Sequence, residues 1–181
     1  YEDASINGSL EIIQYLYDRG EPYNKTSFYS AIIKNRLDVV KYLSKKHMID
    51  DISIALANNN GHLEILKYLV KNGGVLHEDM VPIAVLNECF EIVKYLVENG
   101  VRISKDTISR AIQNGRFDIV KYLVENGGII CNNDIFYAVK HGNIEILKYL
   151  VENGGVINKY MISVAREDGF FHIVKYLESK K

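Results

Sequence analysis

The phrase "KYLVENGG" occupies residues 121–128 and returns, letter for letter, at residues 148–155, 27 positions later. Around it, K-Y-L or a near copy places tyrosine at Tyr15, Tyr42, Tyr68, Tyr95, Tyr122, Tyr149 and Tyr176, with spacings of 27, 26, 27, 27, 27 and 27. Self-similarity sustained at one period marks a repeat architecture and constrains every later reading. Copies at residues 1–20 (partial), 21–48, 49–74, 75–101, 102–128, 129–155 and 156–181 make residues 1–181 a single array of about seven units.

A second marker keeps the same register. Ala4, Ala31, Ala57, Ala84, Ala111, Ala138 and Ala165 each lie eleven residues before a repeat tyrosine, and only Ala55 lies elsewhere. A small residue confined this way belongs where two backbones approach and a larger side chain would overpack the contact. An apolar residue three before each alanine (Phe28, Ile54, Val81, Ile108, Ile135, Ile162) shares its helical face, so the first half of each unit reads as a short helix. Asn24, Asp51, Ser104, Asn132 and Asn158 stand near its start as candidate caps.

A turn at Gly8, Gly61, Gly115, Gly142 or Gly169 then leads into a second helix. In the fifth copy this helix runs from Phe117 to Val124, with apolar residues on one side and Asp118, Lys121 and Tyr122 on the other. Asp118 suits the positive end of the helix dipole and stands i,i+3 from Lys121, predicting an ion pair. "NGG" ends the helix, since glycine readily takes the left-handed turn. One such pair cannot cover its own apolar face, so the units must stack into an all-α solenoid.

The chain has 48% hydrophobic and 25% charged residues and a net charge of −1, with neither the positive field that gathers nucleic acid nor an apolar run long enough to span a membrane. Without a basic-then-apolar leader it reads as soluble and intracellular, and Tyr1 in place of Met points to residues preceding it. Cys89 and Cys131 form no CxxC or Cys/His cluster, as suits a reducing compartment. The N-x-S/T sequons at Asn7 and Asn24 carry little meaning without secretion.

Catalytic and metal motifs are missing. His47, His62, His77, His141 and His172 show no H-x-x-x-H spacing, and there is no P-loop, G-x-G-x-x-G, G-x-S-x-G or HExxH. The expectation is therefore no catalytic, cofactor-binding or metal site, and no small-molecule substrate. The tyrosine row admits two readings, a stacking or docking strip and repeat-to-repeat packing; the acidic row beside it, which repels phosphate, favours packing.

The stretch Asn60–Gly74, "NGHLEILKYLVKNGG", together with Ile54 and Ala57, resembles the ankyrin repeat, whose pattern runs T-P-L-H-x-A-A-x-x-G-H-x-E-x-V-x-x-L-L-x-x-G-A-D. Ile54, Ala57, Gly61, His62, Leu63, Glu64, Leu66, Leu69 and Gly73 stand where the pattern wants apolar, Ala, Gly, His, apolar, Glu, apolar, Leu and Gly. The stretch is especially similar to the ankyrin arrays of giant DNA viruses of amoebae. Departures are specific. The T-P-L-H start is eroded, Asn35 and Glu88 replace the turn glycine, and the period is 27 where ankyrins have about 33. The missing residues fall after the second helix, so the resemblance implies an ankyrin-type helix-turn-helix solenoid with its β-hairpin fingers truncated or absent.

The resemblance also implies a protein-binding role on the concave, inner-helix face, in the cytoplasm, or the host cytoplasm for a viral chain. It points to the two positions after A-A: Ile33 and Lys34, Asn59 and Asn60, Leu86 and Asn87, Gln113 and Asn114, Lys140 and His141, Glu167 and Asp168. These vary from apolar-basic through amide to acidic, as a surface tuned to one partner would; drift on solvated positions gives the same variation. Phe136 and Tyr137 are candidate anchors, with burial between units as the other account. The reading is a non-catalytic protein–protein interaction module. The alternatives are an adaptor whose effector segment, such as a ubiquitin-ligase recruiting one, lies outside this sequence, and a self-assembling structural component.

Overall fold

A computed structural model of the 181-residue chain describes residues 3–4, 9–20, 24–45 and 49–180, apart from the Tyr17 side chain. Asn7, Gly8 and His47 lie outside the described residues. Among the described residues there are 13 helices of two or more turns and no strand. They are α1 (Leu10–Asp18), α2 (Lys25–Ile33), α3 (Leu37–Ser44), α4 (Asp51–Asn59), α5 (Leu63–Lys71), α6 (Met80–Leu86), α7 (Phe90–Glu98), α8 (Thr107–Gln113), α9 (Phe117–Glu125), α10 (Asn132–Lys140), α11 (Ile144–Glu152), α12 (Lys159–Glu167) and α13 (Phe171–Glu178). The chain forms two compact units, residues 1–83 and 84–181.

Among the described residues no helix exceeds 9 residues, too few for stability alone in water, so packing must supply what propensity does not. In the first unit the hairpins α2–α3 and α4–α5 stack, α2 against α4 and α3 against α5. In the second unit α8, α10 and α12 form one layer and α7, α9 and α11 the other. The register alanines are the contact points: Ala31, Ala57, Ala84, Ala111, Ala138 and Ala165 have no exposed surface, whereas out-of-register Ala55 is exposed. Their partners Phe28, Ile54, Val81, Ile108, Ile135 and Ile162 are buried too. Each second helix from α3 onward buries one triplet, such as Ile65, Leu66 and Leu69 in α5 or Ile119, Val120 and Leu123 in α9.

The two glycines of "NGG" serve different purposes. Gly73, Gly127 and Gly154 take φ of 102°, 92° and 97°, the left-handed conformation that ends the helix, with open space around them. The glycine that follows has no room for a side chain: a Cβ on Gly128 would sit 2.7 Å from the Leu123 carbonyl oxygen, and one on Gly74 or Gly155 would run into Ile54 or Ile135. Only four irregular residues follow the helix turn in each case, at 74–77, 101–104, 128–131 and 155–158, so no hairpin finger forms. Asn35 and Glu88 take the left-handed turn, at φ 57° and 56°, despite their side chains. At Glu88 the Arg116 guanidinium offsets the strain, donating to its carbonyl at 3.1 Å and its carboxylate at 3.2 Å.

Several local expectations are corrected. Asn24 and Asn158 cap α2 and α12, accepting from the amides of Ser27 and Met161. At α4 the cap is Asp50, not Asp51, because Asp50 has the extended backbone (φ −129°) that aims its carboxylate at the Ser53 amide. Ser104 does not cap, since α8 starts only at Thr107 and the Ser104 hydroxyl bonds the Thr107 hydroxyl. Asn132 is already the first residue of α10, and there the Asp134 carboxylate takes the Cys131 amide at 2.6 Å. Asp118 pairs with Arg116 at 2.7 Å, because the neighbouring guanidinium offers two parallel donors, and Lys121 turns to Glu125 at 3.9 Å. The expected i,i+3 pairs do form at Glu64–Lys67 and Glu91–Lys94.

Candidate partner-binding surface

The first helix of each hairpin buries the face carrying its alanine and leaves its C-terminal end open. Ile33, Lys34, Asn59, Asn60, Leu86, Asn87, Gln113, Lys140, His141, Glu167 and Asp168 are all exposed, and Asn114 is half-buried. Their surroundings divide them. Asn60 turns back on its own helix, donating to the Leu56 carbonyl at 2.8 Å. Asn114 reaches the preceding hairpin, donating to the carbonyls of Val85 and Leu86 at 3.3 and 3.4 Å. Lys140 and Asp168, from successive copies, form an ion pair at 3.0 Å. Ile33 and Leu86 present large apolar side chains to solvent.

Phe136 and Tyr137 are half-buried and belong to a ring cluster in the second unit. Phe136 stacks on Tyr160 of α12, with centroids 6.4 Å apart and planes within 7°, and meets Tyr137 edge-on at 5.7 Å. Tyr137 lies 6.2 Å from the His141 ring. Tyr160 is 65% exposed, so the cluster has an open side. Four side chains from two neighbouring copies thus meet, three of them anticipated from sequence. Tyr160 carries no repeat signature, and the i,i+1 aromatics at 136–137 gave no hint of a partner in the next copy.

A further row of contacts ties successive copies at the turn between their helices. The carbonyl of Ile33 faces His62 Nε2 at 3.0 Å, and that of Ile112 accepts from Asn143 Nδ2 at 3.1 Å. Each satisfies a carbonyl that the end of a helix leaves without an intrahelical donor. His62 therefore plays a structural part.

From Tyr42 to Tyr176 the tyrosine row is half-buried, whereas Tyr15 is 57% exposed. Tyr122 and Tyr149 are half-buried and set edge-on against Phe90 and Phe117 of the copy before, at 5.7 and 5.6 Å. Burial pushes both hydroxyls above the usual tyrosine range. Tyr122 does not face outward as its helical position suggests, because each second helix leans its ring onto its neighbour. Among the described residues no group of three His, Cys, Asp or Glu is arranged to hold a metal ion. Both cysteines are free thiols. No helix among the described residues is long and apolar enough to cross a membrane.

Residues 83–161 match the family profile for ankyrin repeats, in three copies. Among solved structures, the crystal structure of the human ASB11 ankyrin repeat domain aligns with a TM-score of 0.75 over 91% of this chain and 90% of that one, at 19% identity. The fold is the ankyrin-repeat solenoid. No match is found among curated proteins. Ankyrin repeats generally serve protein–protein interaction, and their usual fingers are what the 27-residue period of this chain removes.

Proposed function

We propose that this chain is a non-catalytic binding module that holds a partner protein on the exposed, concave side of its first helices. The observation that carries the reading is the ring cluster of Phe136, Tyr137, His141 and Tyr160, open on one side and bordered by the Lys140–Asp168 pair. Aromatic side chains that are already packed lose little entropy on binding and dominate interface energies. Around them, Leu86, Gln113 and Glu167 supply the variable contacts. Two unpaired thiols suit the reducing cytoplasm, which for a viral chain is that of the host.

The test is capture of the partner by the 181-residue chain, followed by affinity measurement with two double variants. Tyr137→Ala with Tyr160→Ala should weaken binding at least about tenfold. Lys94→Glu with Lys121→Glu, on the second helices, should change Kd by less than about threefold. The reverse ranking would move the site to the second-helix face and end this proposal.

A further inference from the structure

The second helices of successive copies meet through the same few positions. The residue five before a register tyrosine packs on the tyrosine of the copy that follows: Phe90 and Tyr122 lie edge-on at 5.7 Å, and Phe117 and Tyr149 at 5.6 Å. The lysine just before a register tyrosine reaches the same ring, Lys41 over Tyr68 at 6.0 Å and Lys148 over Tyr176 at 5.9 Å. An inner second helix thus has two unlike sides. One gives the bulky apolar residue and the lysine; the other gives the tyrosine.

In the first and last copies of this sequence one of these sides is open. Phe171 of α13 is 70% exposed, whereas Leu10, Leu37, Leu63, Phe90, Phe117 and Ile144, at the same place in the other copies, are half-buried. Lys175 stands i,i+4 from it on the same face and is exposed. On α1 the opposite side is open. Tyr15 is exposed there, and so is Ile12 at 50%, although its counterparts from Val39 to Ile173 are all buried. Arg19 rests on Tyr15, its guanidinium 5.5 Å from the ring centroid. That does not close the side, because Tyr176 carries Lys180 at the same place, at 5.6 Å, and still receives Lys148 of the copy before. A face left open in a stack of repeats is normally polar, which keeps the stack soluble. Here both open faces are apolar and aromatic, and they are the two halves of one contact.

We infer that these faces dock a second copy of this chain, α13 of one molecule stacking on α1 of the next. Phe171 and Lys175 then meet Tyr15 and Ile12 as Phe117 and Lys148 meet the tyrosines that follow them. A second copy is the occupant because the contact already exists between like helices inside the chain, so both partners carry the matching residues at the matching spacing. The interface is heterologous: each molecule uses one side and keeps the other free, so association continues past two chains. None of the ring-cluster residues takes part, and the inference stands apart from the partner-binding reading.

The experiment is analytical ultracentrifugation of the 181-residue chain over a concentration series, with two variants at exposed positions. The unmodified chain should associate reversibly, its average mass passing that of a dimer. Tyr15→Lys removes the ring and sets a cation against Lys175, and Phe171→Lys sets one against Arg19; circular dichroism checks that both stay folded. Each variant alone should associate at least about tenfold more weakly. Mixed in equal amounts, the two variants should form a complex of one chain of each and nothing larger, since each retains the side that the other has lost. An unmodified chain that stays monomeric or stops at two would overturn the inference. So would variants that associate like the unmodified chain, or a mixture that remains monomeric.

Discussion

Replacing Asn58 with valine should stabilise the protein, against the usual direction of core substitutions. The buried Oδ1 without a donor costs about 1–3 kcal/mol, while the hydrogen bond from Nδ2 to the Met80 carbonyl returns about 0.5–1.5 kcal/mol. Met80 opens α6, so its carbonyl keeps an intrahelical acceptor role when the Asn58 donor is gone. Valine is what the fourth and sixth copies carry at the same place, at Val85 and Val139, both fully buried, so the surrounding packing is suited to it. The net gain is about 0.5–1.5 kcal/mol, or an upward shift of about 0.25–0.75 M in the urea midpoint for an m-value near 2 kcal/mol/M. Stacked repeats need not unfold in one step, so circular dichroism should be paired with hydrogen exchange at α4 and α5, where the added protection should concentrate. A lowered midpoint, or protection gained uniformly along the chain, would refute the claim that Asn58 is an energetic liability.

Two further outcomes follow from the same geometry. Gly128→Ala should cost about 1–3 kcal/mol through overpacking against the Leu123 carbonyl, and relaxing Ile108 cannot relieve it; Gly127→Ala should cost about 1–2 kcal/mol through its positive φ alone, with thermal unfolding of the two variants and their double mutant showing whether the terms are separate. For Asp50, burial raises the carboxyl pKa, but the Lys25 ammonium, the Tyr29 hydroxyl and the Ser53 amide outweigh it and hold the group at about 2. A depressed carboxylate contributes stability that is fully present above its ordinary value of 3.8 and is lost as pH falls towards about 2. Asp50→Asn, which keeps the cap oxygen, should therefore be about 1 kcal/mol less stable at neutral pH, allowing for the exposure of Lys25, with the gap closing between pH 4 and pH 2; a gap that persists at pH 2 would refute the charge argument.

What could be read in the sequence was whatever recurs. Period, alanine contacts, turn glycines and the shortened handover each appear several times, so one copy corrects another. What could not be read depends on a single copy. Asp118 offered Lys121 the right spacing, yet Arg116, matched only by Arg36 in the second copy, competes with a better geometry. Asp50 rather than Asp51 caps α4 because extended backbone, invisible in residue type, decides between neighbours. The candidate surface was legible as a set of positions and not as a set of contacts: nothing in the letters tells that Asn60 and Asn114 are occupied by backbone carbonyls or that Tyr160 completes a ring cluster.

That asymmetry bears on how a repeat protein acquires a site. Residues that repeat are held by the requirement that each hairpin cover the next, so their energies are shared along the stack and substitutions there act on stability. A residue that breaks the pattern has no such support and must be tolerated by its own surroundings. Two kinds of break occur in this chain. At Glu88 the break is compensated: a strained left-handed turn without glycine is held by Arg116 through both carbonyl and carboxylate. At Asn58 it is compensated on one side only, by the Met80 carbonyl, and the other side, Oδ1, is buried without a donor. A compensated break costs the fold little and asks for no ligand. An uncompensated one lowers the stability of the chain, which makes the third copy the place where restoring the apolar repeat residue gains most.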